Sequence, residues 1–397
     1  MKPAVKNAFI LGGMCSLSYL AVYIARNILG AVTPGMIESG SFSTELIGGL
    51  SSFYFVTYAV GQLINGIIGD KIKAKYMISF GLILAGVCNF LFSLAGGSPL
   101  FSYISYGLTG FFLSMIYGPM TKLVAENTEP IYATRCSIGY TFASFVGTPM
   151  AGLFAMFLAW KGVFAISSAT LIGMGLICFL AFELMERKGI LRYGQYRPRN
   201  EEGKAGGIKL LIKYRIIRFS FISAITGVIR TSVVFWLPTY FSQRLGFSTE
   251  KAAFLFTLAS ILLSCCIFAA IFLYEKLRYN MELAMLIFMS LSAITFLGAW
   301  CVEERITNAI LITIAIFSAD CTASLLWSRY CPSLRDTGMV SSATGFLDFL
   351  SYMAAAAASA LFANAVGTIG WGNLVLVWTG LSILGILCTI EFKKKKQ

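Results

Sequence analysis

The sequence predicts an all-α membrane protein of about twelve transmembrane helices, arranged as two pseudo-symmetric six-helix halves. Three observations lead there. Of 397 residues, 57% are hydrophobic and only 12% charged, with a mean hydropathy of +0.78, which lies outside the range of soluble globular domains. Apolar runs of about 20 residues recur along the whole chain, as bilayer-crossing helices require. The chain also repeats itself. Arg26 is followed eight residues on by Pro34 and then by Phe42-Ser43-Thr44-Glu45; Arg230 is followed eight residues on by Pro238 and then by Phe247-Ser248-Thr249-Glu250. Asp70-Lys71 lies 28 residues after Phe42, and Glu275-Lys276 lies 28 after Phe247. The offset is about 204 residues (230 − 26), so one half is written twice.

In chain order, a short basic start (Lys2, Lys6) leads into the first span, 8–33. No small-residue cleavage site follows it, so this span is expected to be retained. Spans 46–69, 76–95, 98–120, 133–157 and 161–184 complete the first half. The run Arg197-Pro198-Arg199-Asn200-Glu201-Glu202-Gly203 is polar and charged, as a linker is. Spans 216–241, 250–274, 281–301, 307–329, 338–363 and 370–391 form the second half. The expected domains are therefore 1–184, a cytoplasmic linker 185–214, and 215–397. Gly61, Gly66 and Gly69 lie inside a span, where small residues let helices approach closely.

The net charge of +13 reads as membrane topology rather than nucleic-acid binding. Sorting the gaps between spans by side puts 25 of the 31 basic residues on one side. The positive-inside rule then makes both termini cytoplasmic in a multi-pass plasma (inner) membrane protein. The chain has no His, which removes His triads and His metal sites. Its ten cysteines show no Cys-x-x-Cys spacing, and no phosphate-cradling loop occurs. No cofactor, metal or enzymatic activity is expected. The expected partners are a small anionic substrate, with phosphate among the candidates, and the lipid bilayer; the chain is expected to act as a monomer.

Charges inside the spans mark the chemistry. Tyr19, Tyr23 and Arg26 fall at i, i+4 and i+7, one helix face, and such a stripe belongs against a wet interior. Arg230 sits mid-span, followed by Trp236, Pro238, Thr239 and Tyr240. An arginine in hydrocarbon costs at least ~2.5–3.5 kcal/mol, and its planar fork suits a phosphate. Two acids also lie within spans, Asp320 and Asp348. They can pair with the arginines, titrate as proton carriers, or contact substrate hydroxyls. Gly66, Asp70 and Lys71, echoed by Glu275 and Lys276, read as gate loops, with Arg135 and Arg335 grouped beside them.

These residues resemble the major facilitator superfamily, and more narrowly the organophosphate:inorganic phosphate antiporter family, which includes glycerol-3-phosphate and hexose-phosphate transporters. The resemblance covers essentially the full length. It implies phosphate binding by Arg26 and Arg230, and it matches Tyr19 and Tyr23 to a first-helix tyrosine pair and Tyr58 to a second-helix tyrosine. The run Arg230, Trp236, Pro238, Thr239, Tyr240 is similar to the family's seventh helix, and Gly338 through Gly345 to the start of its eleventh. Gln62 stands where the glycerol-3-phosphate type carries a Lys, and Ser144 where it carries a His. Asp320 and Asp348 have no counterpart in that type.

The functional expectation is a secondary active transporter that exchanges a phosphate ester for phosphate or another ester, by alternating access at a site between the halves. The alternative is a proton-coupled symporter of a sugar acid or other organic carboxylate, using Asp320 or Asp348. A sensor that binds the anion and signals to a partner is a third class.

Overall fold

The computed structural model describes residues 3–69, 72–95, 98–193, 212, 215–331 and 340–390. Among the described residues, helical rods follow one another and no strand occurs. They are α1 (Pro3–Glu38), α2 (Thr44–Gly69), α3 (Ala74–Ser93), α4 (Pro99–Asn127), α5 (Pro130–Phe157) and α6 (Trp160–Arg187). Then come α7 (Ile216–Arg244), α8 (Thr249–Lys276), α9 (Met281–Cys301), α10 (Arg305–Tyr330), α11 (Val340–Thr368) and α12 (Gly370–Thr389). Eleven are long and apolar enough to cross a membrane, and α5 carries a shorter apolar stretch, Val146–Phe157, among the described residues. The expected all-α membrane architecture is observed, with the rods extending a few residues beyond the predicted spans.

The repeated phrase has a local cause. Ser43 precedes α2, and its hydroxyl accepts the Leu46 N–H at 3.2 Å; Ser248 precedes α8, and its hydroxyl accepts the Lys251 N–H at 3.4 Å. Each serine satisfies an orphan amide of the first turn. Glu45 and Glu250 add the negative charge that a helix start favours. The preceding helices end on Gly40 and Gly246, both at φ +67°, the left-handed conformation that glycine adopts without penalty.

The chain forms two compact units. The first comprises Met1–Arg199 with Phe247–Ile261, and the second Asn200–Gly246 with Leu262–Gln397. In the first, α1 packs on α5 and α6, α3 on α6 and α4, and α2 on α4. In the second, α9 packs on α10 and α12, and α7 on α11 and α12. Glycines set several of these approaches. A Cβ at Gly175 would lie 2.9 Å from the Ser79 carbonyl oxygen, and one at Gly227 would lie 2.6 Å from the Ser351 carbonyl oxygen.

Two buried asparagines cross-link helices within the units. Asn89 donates to the Ser168 hydroxyl at 3.1 Å. Asn308 donates to the Ala299 and Val302 carbonyls, both at 2.7 Å, and accepts from the Tyr240 hydroxyl at 2.6 Å. Where α3 starts and α6 ends, a charge network forms that sequence reading missed. Lys75 is 4% exposed and reaches Glu183 at 2.6 Å and also Glu186; Lys73 reaches Glu186 at 2.7 Å, and Arg187 pairs with Glu183 at 3.0 Å. In the second unit the signs are exchanged. Glu282 at the start of α9 takes Arg215 at 2.8 Å and Arg218 at 3.3 Å. Arg218 also donates to the Cys388 and Thr389 carbonyls that end α12, where a cation complements the helix dipole.

Three outcomes follow for purified protein in detergent. Gly227→Ala forces α7 off α11 and costs about 1–3 kcal/mol, as overpacking does; an unchanged melting midpoint would refute the close approach. Lys75→Ala lowers the midpoint more than Lys73→Ala does, because a buried ammonium leaves two carboxylates facing each other when removed; equal midpoints would count against the network. Glu304 caps α10, accepting the Ile306 and Thr307 amides at 2.9 and 2.6 Å. Hydrogen bonding from Thr307 and these amides holds its carboxyl below the usual range. That contribution is present above the unfolded carboxylate pKa and is lost as pH falls through the lowered folded one. The midpoint deficit of Glu304→Gln is therefore full at neutral pH and narrows in acid; a deficit constant with pH would be the contrary result.

Candidate functional site

In the first unit, Arg26 sits on α1 between two aromatic faces. Its guanidinium carbon lies 5.4 Å from the Tyr23 ring centre and 5.2 Å from that of Tyr58 on α2. Both distances suit cation–π attraction. Arg26 and Tyr23 are half-buried and Tyr58 is buried. Tyr19, one turn before Tyr23, meets that ring edge to face at 5.0 Å. The predicted Tyr19-Tyr23-Arg26 face therefore exists, and Tyr58 joins it. Gln62 stands one turn beyond Tyr58 on α2, half-buried. Ser144 lies on α5, its side chain outside the described residues.

Sequence reading missed two members of this aromatic group. Tyr117 of α4 and Tyr140 of α5 lie 5.4 and 6.1 Å from Tyr19, and 6.2 Å from each other. Nothing local flags them; only the packing of α4 and α5 against α1 brings them there. Tyr58 in turn neighbours Tyr54 at 6.2 Å, and Tyr54 stacks on Tyr106 at 4.9 Å.

In the second unit, Arg230 lies in a π-helical turn, Val228–Val233, inside α7. The cause is visible along the seam with α11. Ser223 donates to the Leu347 carbonyl at 2.8 Å, Gly227 abuts Ser351, and Ser232 donates to the Ala355 carbonyl at 2.6 Å. The α11 positions 347, 351 and 355 are evenly spaced, whereas 223, 227 and 232 include one extra residue. The π turn absorbs that residue and keeps Ser232 on the seam. Such turns are frequent at functional sites.

The Arg230 Nε lies 3.3 Å from Asp320 Oδ1 on α10, with the side chains 41% and 13% exposed. The other carboxylate oxygen, Oδ2, accepts the Cys266 thiol at 3.4 Å, and Cys266 also lies 3.3 Å from the Ser324 hydroxyl. Asp320 thus pairs with Arg230, one of the three roles expected for it. Asp348 is half-buried on α11 and interacts with neighbours of its own.

The expected gate residues are only partly placed. Asp70, Lys71 and Arg335 lie outside the described residues, and Gly66 lies near the end of α2. Glu275 and Lys276 are exposed at the C-terminus of α8. The chain turns there through Arg278 and Tyr279 at φ 55° and 63°. Arg135 is exposed, 5.8 Å from the Tyr132 ring, beside a cavity of about 250 Å³ between α1 and α5 that Phe9, Gly12 and Ser16 also line. Among the described residues no cluster of His, Cys, Asp or Glu could hold a metal ion.

Comparison with known proteins gives this architecture its relatives. Residues 15–359 match the Major Facilitator Superfamily. The membrane sensor protein UhpC of Salmonella typhimurium is 25% identical over 251 residues, covering 58% of this chain and 56% of the sensor. The chain therefore spans just over half the length of that relative. A probable hexose phosphate transport protein of Chlamydia trachomatis is 20% identical over 402 residues, covering 94% and 88% of the two chains. The crystal structure of a D-xylose-proton symporter matches with a TM-score of 0.74 over 97% of each chain at 13% identity, a likeness of fold alone. The helical rods and the match over 15–359 make this chain a multi-pass member of the Major Facilitator Superfamily.

Proposed function

We propose that the protein is a secondary transporter of phosphate esters, exchanging a sugar phosphate or similar ester for phosphate or another ester by alternating access. The observation that supports this most is the pair of repeat-related guanidiniums. Arg26 is held between Tyr23 and Tyr58 in one unit, and Arg230 is held by Asp320 in the other. Each unit thereby presents one permanent cation of bidentate geometry, and such a fork is matched to phosphate rather than to a neutral sugar. The similarity to a probable hexose phosphate transport protein over nearly the whole chain points the same way. In this reading Tyr19, Tyr23, Tyr58, Gln62 and Ser144 line the path of the substrate.

A second reading, anion sensing without net transport, is favoured by one observation, the 25% identity to a membrane sensor. Reconstituted vesicles separate the two. Transport predicts uptake of labelled hexose 6-phosphate that depends on phosphate or phosphate ester inside. Binding to the purified protein with no uptake under any gradient would favour sensing. Uptake of a sugar acid driven by a pH gradient, with phosphate esters ignored, would favour the symport of carboxylates.

Arg26→Lys and Arg230→Lys each lose a charge-assisted pair of contacts that an ammonium cannot copy. Each is expected to weaken binding by about 1.5–3 kcal/mol, roughly 10- to 150-fold, and to abolish exchange. If both variants transport within a factor of two of the parent, the arginines are not the anion-binding groups.

A further inference from the structure

The cavity between α1 and α5 has the depth of one leaflet of a bilayer. Its wall on α1 runs from Val5 to Ser16, which is about 16 Å of helix. Half of a hydrocarbon core of about 30 Å is nearly the same length. Its volume of about 250 Å³ lies under the roughly 300–1,000 Å³ of sites that enclose a whole drug-sized solute, so it suits a chain segment. The two helices run parallel, Gly12 meeting Cys136 and Gly147 meeting Tyr23 further along. At Gly12 they close, since a Cβ there would lie 2.6 Å from Cys136 Sγ. One residue on they open, since a Cβ at Gly13 would meet nothing within 4 Å. The Ser16 hydroxyl donates to the Gly12 carbonyl at 2.8 Å, and the Cys136 thiol to the Ala8 carbonyl at 3.4 Å. These polar groups of the wall are thus spent on backbone. Charge gathers where both helices begin. Arg135 leans back towards the first turn of α5, its guanidinium carbon 5.8 Å from the Tyr132 ring. It is exposed, and among the described residues no carboxylate pairs with it. Lys6, in the first turns of α1, is exposed as well.

We propose that this groove holds one anionic glycerophospholipid, with its phosphate at Arg135 and Lys6 and one acyl chain lying past Gly13 towards Ser16. The groups along the groove are ordered as a phospholipid is. A basic, tyrosine-flanked mouth stands in the first turns of two membrane helices, at the level where headgroups and interfacial aromatics lie. An apolar slot of one leaflet's depth leads from that mouth along both helices. Basic pockets between membrane helices hold anionic headgroups, and a guanidinium gives a phosphate two parallel hydrogen bonds. A water-soluble sugar phosphate fits the mouth but not the slot, where its hydroxyls would find donors and acceptors already bonded to backbone. A zwitterionic lipid fits the slot but brings a cation of its own to Arg135 and Lys6. Arg26 lies ten residues beyond Ser16 on α1, about 15 Å along the helix, so the lipid site is separate from the aromatic seat of that arginine. It stands whichever solute the protein carries.

The test is native mass spectrometry of the purified, delipidated full chain, titrated with phosphatidylglycerol and with phosphatidylcholine of identical chains. The parent is expected to retain one phosphatidylglycerol saturably, at least about fivefold more tightly than phosphatidylcholine. Arg135→Gln and Lys6→Gln should each weaken phosphatidylglycerol by about fivefold, the worth of one basic residue near the headgroups, and leave phosphatidylcholine unchanged. Gly13→Leu places its side chain in the open slot without pressing on α5. It should lower phosphatidylglycerol affinity by about tenfold or more. Equal affinity of the parent for the two lipids overturns the proposal. So does phosphatidylglycerol binding in Gly13→Leu as tight as in the parent. If Gly13→Leu fails to fold, equal phosphatidylglycerol affinity in the parent and Arg135→Gln overturns it on its own. Displacement of the bound lipid by inorganic phosphate or hexose 6-phosphate, with no lipid preference left at Arg135, would assign the groove to a soluble anion and overturn it as well.

Discussion

Hydrocarbon offers a backbone no water to bond, so every peptide group in the spans must be satisfied by its own helix. The rest of the molecule follows from that requirement. Helices cannot be drawn together by burying apolar surface, because lipid is as apolar as leucine. They associate instead where backbones come close, and the glycines record where that happens. Gly175 faces Ser79, Gly147 faces Tyr23 and Ile24, and Gly227 faces Ser351. Serine hydroxyls then reach across the same seams, as Ser223 and Ser232 do from α7 to α11. Even the π turn at Arg230 belongs to this logic. One additional residue must be absorbed without leaving a seam contact or a backbone amide unmade.

The same solvent makes every charge an expense that the structure must answer. Lys75, at 4% exposed, is answered by two glutamates. Arg218 is answered by Glu282 and by the carbonyls ending α12. These charges sit at helix ends and hold neighbouring rods in register. Arg26 and Arg230 differ in kind because they lie deep within α1 and α7. The repeat that places them there also places a proline eight residues on in each helix.

How much of this was legible in the sequence depends on the range of the interaction. The spans, the serine-capped repeat and the Tyr19-Tyr23-Arg26 face are local patterns, so periodicity and capping chemistry show them directly. The predicted first span stops at 33, yet α1 runs from Pro3 to Glu38 with Met36 still buried, because the helix continues as long as its neighbours cover it and Pro34 does not break it. Tyr58 entered by family resemblance rather than by pattern. Lys75 and its partners are separated by 108 and 111 residues, and no local signal links them. Tyr117 and Tyr140 were invisible for the same reason. The π turn shows only when the spacing of Ser223, Gly227 and Ser232 is set against that of Leu347, Ser351 and Ala355. Asp320 was recognisable as an acid out of place, but its choice of Arg230 among the possible partners needed the fold.

The two arginines, for all their shared origin, have come to rest in unlike surroundings. Arg26 lies between the Tyr23 and Tyr58 rings, whose quadrupoles attract a guanidinium without carrying a formal charge. Arg230 lies against the Asp320 carboxylate, whose full charge opposes its own. The same residue type, placed by the same repeat, is therefore seated against rings in one unit and against an acid in the other. The two contacts respond differently to loss of the neighbour: removing a ring takes away packing and a weak attraction, whereas removing the carboxylate takes away an opposite charge in a poorly solvated place.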